Sequence, residues 1–272
     1  MNPAGPVIRH AEHVMGTVFS FAVRSTGAGA EVGVAEALGP VVRRLHRIDE
    51  VFSTYRPQSD ISRFGRGELA LAQCDPAVAE VLERCREVAA ETGGWFTERP
   101  GGRLDPSGWV KGWAVEEASE QLRAAGFVQH TVTGGGDVQT CGGPWRIGIA
   151  DPLRPGAVLG VLAGHDLAVA TSGTAERGAH IVDPHTGRPA TGLLSLTLVG
   201  RRLALTDARA TAAFAMGPDL GLAWAAGHPE VEALAVLPDG TRRRTPGFAF
   251  APPPAGSADP AHLPSLALPG RS

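Results

Sequence analysis

The sequence predicts a single mixed α+β domain, and three observations support this fold class. Segments with strand patterns and segments with helix patterns follow one another without the strict alternation of a doubly wound parallel sheet. Hydrophobic residues make up 43% of the 272-residue chain, which is enough for a sizeable core. No internal repeat divides the chain. We expect a flexible lead-in at residues 1–13, a folded domain at 14–250, and a disordered proline-rich tail at 251–272.

Strand patterns are recognised by β-branched and aromatic residues, and helix patterns by apolar residues every three or four positions. The predicted strands lie at 14–24, 127–132, 145–150, 158–163, 167–170, 193–199, 232–237 and 242–250. The predicted helices lie at 31–52, 76–92, 109–125, 205–216 and 218–226. We expect Gly39-Pro40 to kink or divide the first helix, because proline lacks the N–H that an interior helical position donates.

Composition excludes several classes of function. The formal net charge is −3 and arginines are interspersed with acidic residues, so no footprint for nucleic acid is expected. No window approaches the roughly 18 apolar residues that span a bilayer, so no membrane association is expected. The three cysteines show no CxxC spacing and are expected to be reduced. The first residues lack the pattern of a signal peptide, and a cytoplasmic location is therefore the expectation.

The most chemically dense stretch is TSGTAERGAHIVDPHTGRPA at 171–190, which shows little regular periodicity. His180 precedes an apolar pair and a tight turn at Asp183-Pro184, so we expect it on a short strand that holds it in one place. Such a position suits a general base or a ligand. A polar turn beside a capped strand explains the same residues, and this stretch alone leaves both interpretations open.

Two other regions carry candidate chemistry. Asp207 and Thr211 are four residues apart on a predicted helix and so share one face; their oxygens suit Mg²⁺, although the same residues are also common near helix starts. Lys111 lies near the start of a helix preceded by small residues, where a cation is disfavoured unless an anionic partner is close. Tyr55, in a polar loop, is either a packing anchor or a stacking surface for a flat ring.

An ordered set of motifs resembles the flavin transferases of the ApbE type, the FAD:protein FMN transferases. The set covers roughly residues 14–237, and its most specific members are DPSGWVKGWA, HIVDPHTG and DARAT. The matching pieces are MGT at 15–17, FSTYRPQSDISRF at 52–64, TGGWF at 92–96, DPSGWVKGWAVEEA at 105–118, GGGDV at 134–138, WRIGIADP at 145–152, TSGTAERGAHIVDPHTGRPA at 171–190 and TDARAT at 206–211.

The resemblance implies a Mg²⁺-dependent reaction in which FAD is cleaved at its pyrophosphate. FMN is then joined by a phosphoester bond to a Thr or Ser of an acceptor flavoprotein, and AMP leaves. It implies His180 as the base for the acceptor hydroxyl, and Gly108, Asp207 and Thr211 as the metal ligands. The residues that it implies for FAD binding are Met15, Tyr55, Trp95, Phe96, Thr97, Asp105, Lys111 and Ile181. We expect a monomer or weak homodimer.

The chain departs from the family pattern at Gly65, Thr133 and Ala175, where many members carry Asn, Asn and an aromatic residue. The Asn replaced by Gly65 is linked in the family to the handling of FAD. Its absence argues mildly against the hydrolysis of free FAD, and the three departures together are the features that favour binding without catalysis. Two alternatives stay open beside the transferase. One is an FAD pyrophosphatase that releases FMN and AMP, and the other is a protein that binds FAD without catalysis.

Overall fold

The computed structural model describes residues 6–27, 29–174, 178 and 180–252. In this part of the chain, ten strands form two sheets. They are β1 (Val7–Val14), β2 (Thr17–Arg24), β3 (His130–Gly134), β4 (Asp137–Cys141), β5 (Trp145–Ala150), β6 (Val158–Gly164), β7 (Ala168–Gly173), β8 (Ser195–Gly200), β9 (Glu232–Val236) and β10 (Arg242–Arg244). The main sheet has the order β1-β2-β3-β4-β7-β8-β9-β10, and each neighbouring pair is antiparallel. Strands β5 and β6 form a separate antiparallel hairpin.

The helices follow the predicted pattern closely, apart from one short helix at Asp60–Gly65 that was not predicted. They are α1 (Ala30–Phe52), α2 (Asp60–Gly65), α3 (Pro76–Glu91), α4 (Ser107–Ala124) and α5 (Leu203–Ala226). Pro40 does not divide α1, which runs through it with Leu38, Val41 and Leu45 buried on one face. The packing of that face outweighs the helix hydrogen bond that proline cannot make. The predicted break between the helices at 205–216 and 218–226 is present inside α5 as a kink at Gly217, whose φ of 78° is not helical.

The main sheet buries different residues on its two faces, as the period of two along a strand requires. Along β7, Ala168 and Ala170 belong to the larger core, which contains the buried residues of α4 and α5. Val169 lies between them and belongs to a smaller core with Ile147 and Ile149 of the β5–β6 hairpin. The sheet is therefore covered by helices on one face and by a hairpin on the other. This arrangement confirms the predicted α+β class.

Several predicted boundaries were wrong. Residues 7–13, expected to be a flexible lead-in, form most of β1, which pairs with β2 along its whole length. Residues 171–173, expected to be irregular, complete β7 and pair with β8. The predicted strand at 127–132 begins only at His130. Local propensity missed these strands because their pairing partners, rather than their own pattern, stabilise them.

The predicted tail at 251–272 lies almost entirely outside the described residues. Ala251 is described, and its N–H donates to the carbonyl of Val161 in β6 at 2.7 Å. No helix in the described part of the chain is long and apolar enough to cross a membrane.

Candidate functional site

Two buried carboxylates and one lysine form the centre of the site. Asp137, at the start of β4, and Asp207, in α5, are 1% and 4% exposed. The Nζ atom of Lys111 in α4 pairs with Oδ2 of Asp137 and lies 3.1 Å from Oδ2 of Asp207. Ionised carboxylates are costly to bury unless they are paired and hydrogen-bonded. This charged cluster therefore has a strong electrostatic reason to stay assembled.

A glycine places Asp207 against α4. The N–H of Gly112 donates to Asp207 Oδ2 at 3.1 Å. A Cβ atom at Gly112 would lie 2.7 Å from the carbonyl oxygen of Leu203 and 2.8 Å from Asp207 Cβ, closer than such atoms approach. Helices α4 and α5 therefore meet nearly backbone to backbone, and only glycine fits at this point.

Asp137 is positioned by a hairpin turn and a neighbouring strand. Gly135 and Gly136 connect β3 to β4 with φ values of 56° and 87°. Positive φ at both central residues is the signature of the tight turn that suits a hairpin, and glycine adopts it without strain. Oδ1 of Asp137 also accepts the N–H of Thr171 in β7 at 2.9 Å. The turn and the hydrogen bond together fix the carboxylate beside Lys111.

Hydroxyl and carbonyl oxygens lie next to the carboxylates. Thr211 stands one turn after Asp207 on α5, and its Oγ1 is 3.4 Å from Oγ of Ser172 in β7. At Gly108, an added Cβ atom would lie 3.9 Å from Thr211 Oγ1, so the first turn of α4 reaches the same place. A backbone carbonyl oxygen has two lone pairs, so the Gly108 carbonyl keeps accepting capacity even where a helical N–H donates to it.

This donor set fits a hard divalent cation. Within the described residues, no group of three or more His, Cys, Asp or Glu side chains is arranged to hold a metal ion. A cation here would depend on a mixed set of oxygens from Asp207, Thr211 and Gly108. Mg²⁺ is commonly bound in this way, by one or two carboxylates together with substrate phosphates and water.

An aromatic wall lies beside the start of α4. Phe96 is buried, and its Cε2 atom would lie 3.2 Å from a Cβ at Gly108. The ring of Trp95 meets the ring of His185 edge-on, with 4.5 Å between their centroids. Thr97 and Val182 line the same surface cavity, and Val182 belongs to the segment just before His185. Residues 95–97 therefore contact both the start of α4, beside the carboxylate centre, and the segment that follows His180.

His180 is exposed and lies outside any strand, so the prediction of a short strand was wrong. What remains of a strand is a single bridge between Val182 and Pro189. Nδ1 of His180 lies 3.1 Å from the carbonyl of Gly178, which can only accept a hydrogen bond. In the neutral ring, this contact places the proton on Nδ1 and leaves Nε2 with a free lone pair. Ile181, the next residue, is buried in the larger core.

The turn after Ile181 is held by its own polar groups. Asp183 accepts the Thr186 hydroxyl and the His185 N–H, each at 2.8 Å. Burial acts to raise the pKa of Asp183, but these hydrogen bonds outweigh it and hold the pKa below its ordinary value. Gly187 has a φ of 69°, as the turn requires. Asp183 therefore serves as a scaffold for the segment and stays ionised at neutral pH.

The remaining predicted residues lie around this centre with different degrees of contact. Met15, with a φ of 56°, lies in the turn between β1 and β2. Thr17, which follows this turn, lies beside Gly135 together with Lys111. Asp105 uses one carboxylate oxygen to accept the N–H of Ser107 at 3.0 Å, so it stabilises the start of α4. Tyr55 is 95% exposed in the loop between α1 and α2.

The sequence did not identify every residue of the centre. Asp137 was recognised only as part of a glycine-rich motif, and Ser172 only as part of the neighbouring stretch. The available signal was an acidic residue placed directly between a glycine turn and a strand, where a buried carboxylate needs a cation. Asp207 does not lie at a helix start, because α5 begins at Leu203.

Two of the three positions that depart from the family pattern, Gly65 and Thr133, fall in ordinary structural settings. Gly65 ends α2, where a Cβ atom would lie 3.4 Å from Leu104 Cβ, an ordinary contact. Thr133 lies in β3 and pairs with Val138. Ala175 lies outside the described residues.

Comparison with known proteins gives a consistent result. The model of the ApbE family matches residues 15–98 and 96–235. The FAD:protein FMN transferase of Rhodobacter capsulatus is 36% identical over 135 residues, which are 45% of this chain and 26% of that protein. The FAD:protein FMN transferase of Treponema pallidum is 31% identical over 210 residues, or 64% of this chain and 57% of that protein. The chain thus spans between about a quarter and somewhat over half of these relatives.

Two solved structures share the fold. The flavin transferase ApbE from Vibrio cholerae superposes with a TM-score of 0.76 at 22% identity, covering 89% of this chain and 99% of that one. The ApbE protein from Thermotoga maritima gives a TM-score of 0.77 at 23% identity, covering 89% and 97%. The family model spans most of the folded region, and each of the two solved structures covers 89% of this chain. The chain belongs to the ApbE family.

Proposed function

We propose that the protein is a Mg²⁺-dependent FAD:protein FMN transferase. The observation that carries the proposal is the buried carboxylate of Asp207, with the Thr211 hydroxyl one helical turn later and the start of α4 beside it. Phosphoryl transfer depends mainly on charge neutralisation and positioning, and this centre has the groups for both. The curated relatives reported above bear the name of the same activity.

The metal site in this proposal uses Asp207, Thr211 and the backbone carbonyl of Gly108. Bound there, Mg²⁺ would neutralise the pyrophosphate of FAD and so make AMP a better leaving group. Asp207 supplies the charged ligand, and its carboxylate is oriented by the N–H of Gly112. Thr211 supplies a neutral oxygen that already lies beside the hydroxyl of Ser172.

His180 acts in the proposal as the base for the incoming hydroxyl. Its Nε2 takes the proton from a Thr or Ser of the acceptor, whose oxygen then forms a bond to the phosphorus of the FMN half. The pyrophosphate bond to the AMP half breaks, and AMP leaves with the bridging oxygen. The contact from Nδ1 to the Gly178 carbonyl favours this role, because it keeps the second nitrogen unprotonated in the neutral ring. Its exposure lets a protein acceptor reach it.

The other predicted residues form the proposed FAD site. Tyr55 offers an exposed ring face, and Met15 approaches the flavin from the β1–β2 turn. Trp95 and Thr97 contact FAD, and Thr97 also lines the surface cavity. Phe96 and Ile181 are buried and contribute to the wall of the same site. Asp105 meets polar groups of FAD, and Lys111 meets the acidic side chains of Asp137 and Asp207. A cytoplasmic location and a monomer or weak homodimer stay predictions.

The deciding experiment compares single variants with matched controls. With FAD, Mg²⁺ and a candidate acceptor flavoprotein, Asp207→Ala is expected to abolish FMN transfer, because it removes the charged metal ligand. Asp219→Ala removes an exposed carboxylate from the same helix and is expected to leave transfer unchanged. Mass spectrometry of the acceptor and chromatography of AMP measure the result. Normal transfer by Asp207→Ala would place the metal site elsewhere.

The role of His180 is tested in the same assay. His180→Ala is expected to slow transfer by roughly 10²–10⁴-fold while FAD still binds, as loss of a general base predicts. The exposed His165 provides the control, since His165→Ala is expected to transfer FMN at the normal rate. If AMP and free FMN appear without an adduct on the acceptor, the protein is a pyrophosphatase. Intact bound FAD would instead indicate a binding protein without catalysis.

A further inference from the structure

We infer that Lys111 is an internal counter-cation that holds Asp207 before the metal ion binds and then moves wholly to Asp137. The inference deepens the proposed function, since it depends on the metal site at Asp207. It assigns Lys111 a positioning role and gives Asp137, which is not a proposed ligand, a part in metal binding.

The charge balance of the cluster supports this assignment. The two buried carboxylates of Asp137 and Asp207 both pair with the ammonium group of Lys111, and these three groups together carry a net formal charge of −1. A divalent cation at Asp207 would change that sum to +1 before any phosphate arrives. Two cations sharing one carboxylate oxygen repel each other strongly where water is excluded. Lys111 must therefore give up Asp207 Oδ2 when the metal ion takes it.

The geometry provides a place for Lys111 to go. Its Nζ already pairs with Asp137 Oδ2, and Asp137 is held from its other oxygen by the N–H of Thr171. The lysine side chain is 23% exposed and has a flexible stem, so a small shift towards Asp137 breaks no backbone hydrogen bond. Gly135 leaves room for that stem, because a Cβ atom there would lie 3.3 Å from Lys111 Cδ.

The inference predicts opposite effects for two substitutions near one metal site. Lys111→Met removes the competing cation and is expected to tighten metal binding. Asp137→Asn removes the acceptor to which Lys111 retreats, so the lysine stays on Asp207 and metal binding is expected to weaken. Coupling between neighbouring binding events typically changes affinity by about 5-fold to 150-fold, and we expect changes of at least about 5-fold in each direction.

Mn²⁺ is a suitable probe, because free Mn²⁺ is counted directly by electron paramagnetic resonance. We would titrate it, with and without FAD, into the wild type, Lys111→Met, Asp137→Asn and the exposed control Arg84→Met. The double variant Lys111→Met/Asp137→Asn removes both charges, so it avoids leaving one of them buried and unpaired. It is expected to bind Mn²⁺ at least about 5-fold more tightly than Asp137→Asn alone. If Lys111→Met does not fold, the comparison of the double variant with Asp137→Asn still tests the role of Lys111.

The outcomes separate this inference from the proposed function. Tighter binding in Lys111→Met and weaker binding in Asp137→Asn, with Arg84→Met unchanged, would support the role of Lys111. Equal affinities in the wild type and these variants would overturn that role while leaving the metal site intact. Absence of Mn²⁺ binding to the wild type, with FAD as well as without it, would overturn the proposed metal site itself.

Discussion

The contact between α4 and α5 at Gly112 yields the sharpest structural prediction. Gly112→Ala adds one methyl group that would lie 2.7 Å from the Leu203 carbonyl oxygen and 2.8 Å from Asp207 Cβ. The first of these neighbours is backbone and cannot rotate away. The helices must therefore separate, and the hydrogen bond from the Gly112 N–H to Asp207 Oδ2 must lengthen.

The size of the effect follows from two opposing contributions. Overpacking of this kind costs about 1–3 kcal/mol. Replacing a helical glycine by alanine returns about 1 kcal/mol through backbone entropy. Gly33 in α1 provides the control for this second contribution, because a Cβ atom there meets only Phe127 Cζ, at 3.8 Å. Gly33→Ala should stabilise the protein by up to about 1 kcal/mol. Because the backbone gain is common to both variants, they should differ in free energy of unfolding by the overpacking cost alone, about 1–3 kcal/mol.

Urea denaturation of both variants, followed by far-UV circular dichroism, measures this difference. We expect Gly112→Ala to unfold at lower urea than the wild type and Gly33→Ala at the same or higher urea. We also expect Gly112→Ala to lose FMN transfer beyond its loss of stability, because Asp207 is displaced. If Gly112→Ala were as stable as Gly33→Ala, the close contact between α4 and α5 would be refuted.

Two further predictions concern buried polar groups. Burial holds the pKa of His130 below its ordinary value of about 6.5, although its contacts with Phe127 and Ser119 partly oppose the shift. As the pH falls from about 6.5 towards the lower folded pKa, the unfolded chain binds the extra proton and stability is lost, by at most about 1.4 kcal/mol per pH unit. Urea midpoints at about pH 7.5 and about pH 5.5 should therefore differ less in His130→Gln than in the wild type; an unchanged difference would contradict this account. Glu116 accepts the N–H of Ala204 at 2.9 Å at the start of α5, so Glu116→Ala should cost about 1–3 kcal/mol. Thermal unfolding tests it against the exposed control Glu120→Ala, and equal melting temperatures for the two variants would count against it.

The sequence predicts the helices well because their patterns are local. The apolar face of α3 repeats every three or four residues, and the predicted span of 76–92 differs from the observed Pro76–Glu91 by one residue. The first strand was missed for the opposite reason. β1 has little apolar alternation of its own and forms because β2 pairs with it along eight residues. Pairing between distant or weakly patterned segments is not encoded in local propensity.

The candidate site shows the same division. Asp207 and Thr211 could be paired from their spacing, because four residues complete about one helical turn. The contact of Lys111 with Asp137, 26 residues apart, depends on how α4 crosses the β3–β4 hairpin. The approach of Gly112 to Leu203 depends on the packing of two helices that are distant in sequence. Neither contact leaves a periodic pattern, so the pairing of these particular residues could not be predicted.

The most direct test of the central claim is the mass of an acceptor flavoprotein after incubation with the protein, FAD and Mg²⁺. We predict that the acceptor gains one FMN on a Thr or Ser and that AMP is released in equal amount. We also predict that Asp207→Ala produces neither. Free FMN and AMP with an unmodified acceptor, or FAD that stays intact, would contradict the assignment of the protein as a flavin transferase.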